Sequence, residues 1–117
     1  MTSSEQETPR RGALPAAEPA ALAALVEYAP GSVVSRALVQ SQPGSATLFA
    51  FDEGQGLNEH ATPYDAHVIV LDGTATLTIG GKTILARIGE VVRMPANVPH
   101  AVDARERFKM LLMMFRG

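Results

Sequence analysis

Between Ser32 and Phe115 the chain breaks into short apolar or β-branched runs, each closed by a turn signal. Thr74, Thr76 and Thr78 alternate with Ala75, Leu77 and Ile79, the period-two pattern of a strand with one polar and one apolar face. Ser32–Val39 is closed by Gln42-Pro43-Gly44, Thr47–Phe51 by Asp52 to Gly56, and Leu57–His60 by Thr62-Pro63. Ala66–Leu71 ends at Asp72-Gly73, a strong hairpin signal, and Thr74–Ile79 ends at Gly80-Gly81, a second one. Lys82–Arg87, Val91–Met94, His100–Ala104 and Phe108–Phe115 follow, separated by Gly89, Pro95 and a charged turn. Nine short strands at this spacing predict an all-β sandwich or barrel.

Two runs depart from alternation. Ala66–Leu71 is apolar on both faces except at His67, and Met110–Phe115 is apolar on both faces without exception. A barrel interior covers one face of a strand, so the outer face of the last strand is expected to pack on a second subunit in a homodimer. Ahead of the strands, residues 1–18 are rich in Ser, Glu, Gln, Pro and Ala and predict a flexible arm. Residues 19–30 predict a short helix and lead-in: Pro19 opens it, Ala20, Leu22, Ala23, Leu25 and Val26 form it, and Pro30-Gly31 stops it. The barrel is expected over residues 31–116.

Composition narrows the function. Of 117 residues, 46% are hydrophobic and 19% charged, an ordinary globular balance that excludes wholesale disorder. A net charge of -2 gives no basic excess, and Trp is absent, so no nucleic-acid partner is expected. The absence of cysteine excludes disulfides, thiolate chemistry and iron–sulfur clusters. The apolar runs Ala20–Val26 and Met110–Phe115 fall far short of the roughly 20 residues a membrane helix needs. The first residues lack an apolar leader core. A soluble cytoplasmic protein is therefore expected, with no membrane partner. Arg93, Arg105, Arg107 and Lys109 read as solvated strand positions, and Met94, Met110, Met113 and Met114 as fillers of core and interface gaps.

The chain has three histidines. His60 precedes a Thr-Pro turn, His100 follows the turn Pro95 to Pro99, and His67 lies inside an apolar strand. A proline turn fixes the direction of the backbone beside it. His60 and His100 thus stand at strand mouths, where small barrels hold ligands.

The stretch from Gly54 to Gly73, with His60 inside it, resembles the first motif of the cupins, and Gly89 to His100 resembles the second. The likeness extends over about residues 31–116 and is similar to that of small single-domain bacterial cupins of the RmlC-like type. It implies a double-stranded β-helix, or jelly-roll barrel, usually dimeric, with a site in the barrel mouth. The family's metal ligands would fall on His60, Thr62, Ala66 and His100, so the first motif is degenerate: two ligand positions hold a threonine and an alanine. Asn97 stands where the second motif has glycine, a mild change because asparagine tolerates a left-handed conformation.

His60 and His100 are the candidate metal ligands, and with Thr62 and Ala66 they are the candidate lining of a small-ligand site. Transition metals generally take three or four protein ligands. Asp65 and Glu59 are candidate oxygen ligands that read more simply as turn or edge carboxylates. If Ala66 faces inward, strand alternation turns His67 away, toward the opposite sheet or a partner. Two classes stay open: a metal-free binding or sensor module, favoured by the ligand count, and an enzyme holding a divalent transition metal, such as a dioxygenase on a small oxygenated compound, favoured by the family resemblance.

Overall fold

The computed structural model describes residues 14–116. Nine strands follow one another: β1 Val33–Gln40, β2 Gly44–Phe51, β3 Gly56–His60, β4 Tyr64–Asp72, β5 Thr74–Ile79, β6 Lys82–Arg87, β7 Val91–Met94, β8 His100–Asp103 and β9 Phe108–Arg116. They form two antiparallel sheets, a five-stranded one in the order β1-β2-β9-β4-β7 and a four-stranded one in the order β3-β8-β5-β6. The chain is all-β with the jelly-roll arrangement expected.

Alternation decides what lies between the sheets. Ala66, Val68 and Val70 of β4 are buried while His67 and Ile69 between them are not, so one set faces the interior and the other the outside. Phe51 and Phe108 stack with ring centres 4.7 Å apart, and Phe49 stacks on Phe51 at 5.6 Å. With Leu77, Ala75, Met110 and Val102 they fill one continuous core. The other end of the barrel is where β3 runs into β4 through residues 61–63, β5 into β6 through Gly80-Gly81, and β7 into β8 through 95–99. That end is the mouth.

The N-terminal residues correct one expectation, the helix. Of the arm expected over residues 1–18, residues 1–13 lie outside the described residues, and 14–18 are exposed. The helix expected within 19–30 is a single 3₁₀ turn, Leu22–Leu25. Ala21 caps it with no side-chain hydrogen bond, and Val26 is already extended. Four residues cannot repay the cost of nucleating an α-helix, and their apolar side chains are more useful against the sheet. Leu22, Leu25, Val26 and Tyr28 pack on Leu48, Ala50, Leu71 and Leu111, covering one end of the outer face of the five-stranded sheet.

Arg107 is exposed as its alternation suggests, whereas Lys109 is half-buried and not the solvated position expected. Lys109 Nζ donates to the Ala23 carbonyl at 2.7 Å, and both cations lie over the Tyr28 ring, at 4.5 and 5.0 Å from its centre. The Tyr28 hydroxyl donates to Asp72, and burial together with that carboxylate pushes the phenol well above its ordinary range. Arg107 also pairs with Asp52 at 3.3 Å. The Gly31 amide donates to the same carboxylate at 2.7 Å. These contacts fasten the N-terminal segment to the barrel end opposite the mouth.

Candidate functional site

The two mouth histidines are cross-strand neighbours. His60, the last residue of β3, pairs with His100, the first of β8, and His100 pairs in turn with Ile79 at the end of β5. Getting His60 to that position requires an irregularity. Leu57 packs on the core, and a residue three places on would ordinarily face the opposite way. The pairing shifts between Leu57 and His60, so that Asn58 and Glu59 oppose Ala101 alone. That bulge restores the inward face for His60.

The rings meet edge to face, with centres 4.5 Å apart and planes at 64°. Each is held from behind by a carbonyl two residues back in its own chain: His60 Nδ1 lies 2.8 Å from the Asn58 oxygen, and His100 Nδ1 lies 3.3 Å from the Val98 oxygen. His100 is 5% exposed, whereas His60 sits at the rim and is exposed. Burial holds the His100 ring below the ordinary imidazole range, and the neighbouring His60 adds to the effect against the opposing pull of the Val98 carbonyl.

A stability consequence follows. Below pH 6.5 the unfolded chain protonates this histidine while the folded chain does not, so stability is full above that pH and falls as pH drops toward the depressed folded value. The melting temperature of wild-type protein should decline over that window more steeply than that of His100→Asn. Parallel profiles would show that His100 does not carry the slope.

The remaining candidates are placed differently from one another. Ala66 is buried at 1% exposure on the facing sheet, in register with Met94 of β7 and Met114 of β9. Its methyl turns inward and offers no ligand atom. Thr62 lies in the turn between β3 and β4. Its Oγ1 is 3.3 Å from both the nitrogen and the oxygen of Tyr64, and its carbonyl accepts the Asn97 amide at 2.7 Å. It thus latches the first-motif turn to the second-motif turn. Asn97 adopts φ +65°, the left-handed conformation expected for it.

Asp65 is occupied as a turn carboxylate. Its Oδ1 accepts the Ala96 amide at 3.0 Å and lies 3.4 Å from Arg93. Glu59 is exposed on the bulge. His67 is on the outer face, paired with Arg93 and Met113, with its ring 6.3 Å from that of Phe115. Sequence reasoning missed Met94, Met114 and Tyr64 as mouth residues, although the register of Ala66 with both methionines is what brings them there. A hollow of about 140 Å³ opens at this end beside Ser41, Ser45, Tyr64 and Met114.

The donor set does not fit a tightly held transition metal. His60 and His100 supply two nitrogens, the other family positions hold a committed hydroxyl and a methyl, and Asp65 is engaged elsewhere. Among the described residues, no group of three or more His, Cys, Asp or Glu side chains is disposed to hold a cation.

Comparisons with known proteins bear on the family and the fold. Residues 47–115 match the cupin domain family Cupin_2. A conserved protein of unknown function from Streptococcus pyogenes is 34% identical, with a TM-score of 0.87 over 94% of this chain and 96% of that one. A cupin superfamily protein from Desulfitobacterium hafniense is 32% identical, with a TM-score of 0.85 over 93% of this chain and 100% of that one. A Cupin 2 conserved barrel domain protein from Leptotrichia buccalis is 42% identical, with a TM-score of 0.78 over 80% of this chain and 45% of that one. No functionally curated protein matches the chain.

Proposed function

The chain belongs to the cupin domain family, and from that premise we propose that it is a binding or sensor module that holds a small ligand in the barrel mouth between His60 and His100. The observation that carries this reading is the ring pair itself: two imidazoles from segments 40 residues apart meet at 4.5 Å on the inward face of one sheet. With two nitrogens in place of a fuller ligand set, binding proceeds through hydrogen bonds to the rings.

Elemental analysis of untagged protein, purified without a nickel column, tests the metal-free reading. Transition metal should stay well below one equivalent per chain. One equivalent that survives dialysis against a chelator would overturn it and favour a metal-dependent enzyme acting on a small oxygenated compound.

We further propose that two copies associate through the outer face of the five-stranded sheet. The N-terminal segment covers that face at Leu48, Ala50 and Leu111 but leaves a groove of about 350 Å³ lined by Val39, Ala46, Met113 and Phe115. The Nδ1 of His67 is buried on this face with no hydrogen-bond partner among the described residues. Among those residues, no helix is long and apolar enough to cross a membrane.

A further inference from the structure

We propose that the ligand held by His60 and His100 is a neutral molecule with two hydrogen-bond donors on neighbouring atoms, a small vicinal diol. The inference rests on the mouth being a ligand site, and it follows from which ring nitrogens carry hydrogen. The Asn58 and Val98 oxygens are carbonyls, which can only accept, so the Nδ1 atoms 2.8 and 3.3 Å from them must donate. A neutral imidazole has one N–H. Both rings therefore turn an Nε2 lone pair outward, and among the described residues no protein donor reaches either atom. Two neighbouring rings, their centres 4.5 Å apart, that each offer an acceptor select a partner that donates twice.

The surroundings decide the charge of that partner. A carboxylate or phosphate would set oxygen lone pairs against nitrogen lone pairs. It would be welcomed only by rings made cationic, and two such rings with centres 4.5 Å apart repel each other. An ammonium group could donate, but it brings a full charge to a mouth where, among the described residues, no free carboxylate faces inward. Asp65 is held by Ala96 and Arg93, Glu59 is exposed on the bulge, and the facing sheet turns Ala66, Met94 and Met114 inward. An unpaired charge is costly beside such a lining, whereas hydroxyls meet both lone pairs and leave no charge behind. Vicinal hydroxyls put two donors on adjacent atoms, the close pairing that two rings with centres 4.5 Å apart call for.

Nitrogen-15 spectra of the histidine rings in the full chain test this directly, at pH about 7.5, where ordinary imidazoles are neutral. Both Nε2 atoms should resonate as unprotonated. Titration with propane-1,2-diol should shift both Nε2 signals and spare Nδ1, while acetate and methylammonium leave both rings unmoved. His60→Ala, a change at an exposed rim position that keeps the fold, should abolish the diol response at His100. An Nε2–H tautomer in either ring, or rings that answer acetate or methylammonium and not the diol, overturns the diol assignment and leaves the mouth site standing. Rings that answer none of the three probes overturn both.

Discussion

Replacing Gly73 with alanine should cost more stability than the same change at any other described glycine. Gly73 closes the Asp72-Gly73 turn between β4 and β5 at φ +71°, the left-handed region. A side chain there costs about 1–2 kcal/mol on conformational grounds alone. The second cost is steric. A Cβ would fall 2.3 Å from the Arg107 carbonyl oxygen and 2.9 Å from the Phe108 Cβ. Neither neighbour can retreat easily: the oxygen is backbone, and Phe108 is fully buried, stacked on Phe51. Forcing such a contact costs a further 1–3 kcal/mol or so. The sum, about 2–5 kcal/mol, corresponds to a fall in melting temperature of roughly 8–20 °C for a domain of this size. Gly81 makes the control, since it has a similar φ of +82° but nothing within 4 Å of its Cβ position. Gly81→Ala should lose only the conformational part. Equal losses at the two positions would show that the packing against Arg107 and Phe108 contributes nothing.

That turn was legible as a turn from the Asp-Gly pair, but not as the hairpin expected there. The strands β4 and β5 lie in different sheets and do not pair, so it is a corner between sheets, whereas Gly80-Gly81 does close a β5–β6 hairpin. Thr74–Ile79, Lys82–Arg87 and Val91–Met94 have the boundaries that alternation and turn residues indicate. Local rules succeed there because a strand with one buried face must keep its parity. Parity also places Ala66 inward and His67 outward without reference to the rest of the fold. The failures arise where the deciding contact is distant. Leu22–Leu25 has the composition of a helix, but its conformation is set by Leu48, Leu71 and Leu111, which are far along the chain. Lys109 has the pattern of a solvated strand residue until a carbonyl 86 residues away reaches it.

The site divides in the same way. His60 and His100 were recognisable as a pair from their proline turns and motif positions. How His60 reaches the inward face was not, because the bulge at Asn58–Glu59 exists only relative to β8, and nothing within Gly56–His60 announces it. Thr62 and Asp65 were weighed as ligand positions. Their hydrogen bonds to the 95–99 turn depend on how the two motifs meet in space, which no local pattern encodes. A residue's place in a motif thus indicates where it sits more reliably than what its polar atoms bind.

Replacing Met113 with glutamate should convert a dimer into a monomer while leaving the barrel folded. Met113 is on the outer face of β9, between Ala46 and His67 in register, and it lines the apolar groove with Val39 and Phe115, each 49% exposed. In a free protomer Met113 is only half-buried, so the new carboxylate can reach water and the melting temperature at low protein concentration should fall little. Against a second copy the carboxylate would be stripped of water. Desolvation of an unpaired polar group costs about 2–7 kcal/mol, so a loss of about 3 kcal/mol, or roughly 100-fold in the dissociation constant, is a conservative expectation. Sedimentation at micromolar concentration reads the outcome. Thr83→Glu is the matched control, because Thr83 is exposed on the other sheet beside Thr78 and outside the groove. It should leave the dimer intact. A wild-type chain that sediments as a monomer, or a Thr83→Glu protein that dissociates as readily as Met113→Glu, would remove the assignment of this face to a second copy.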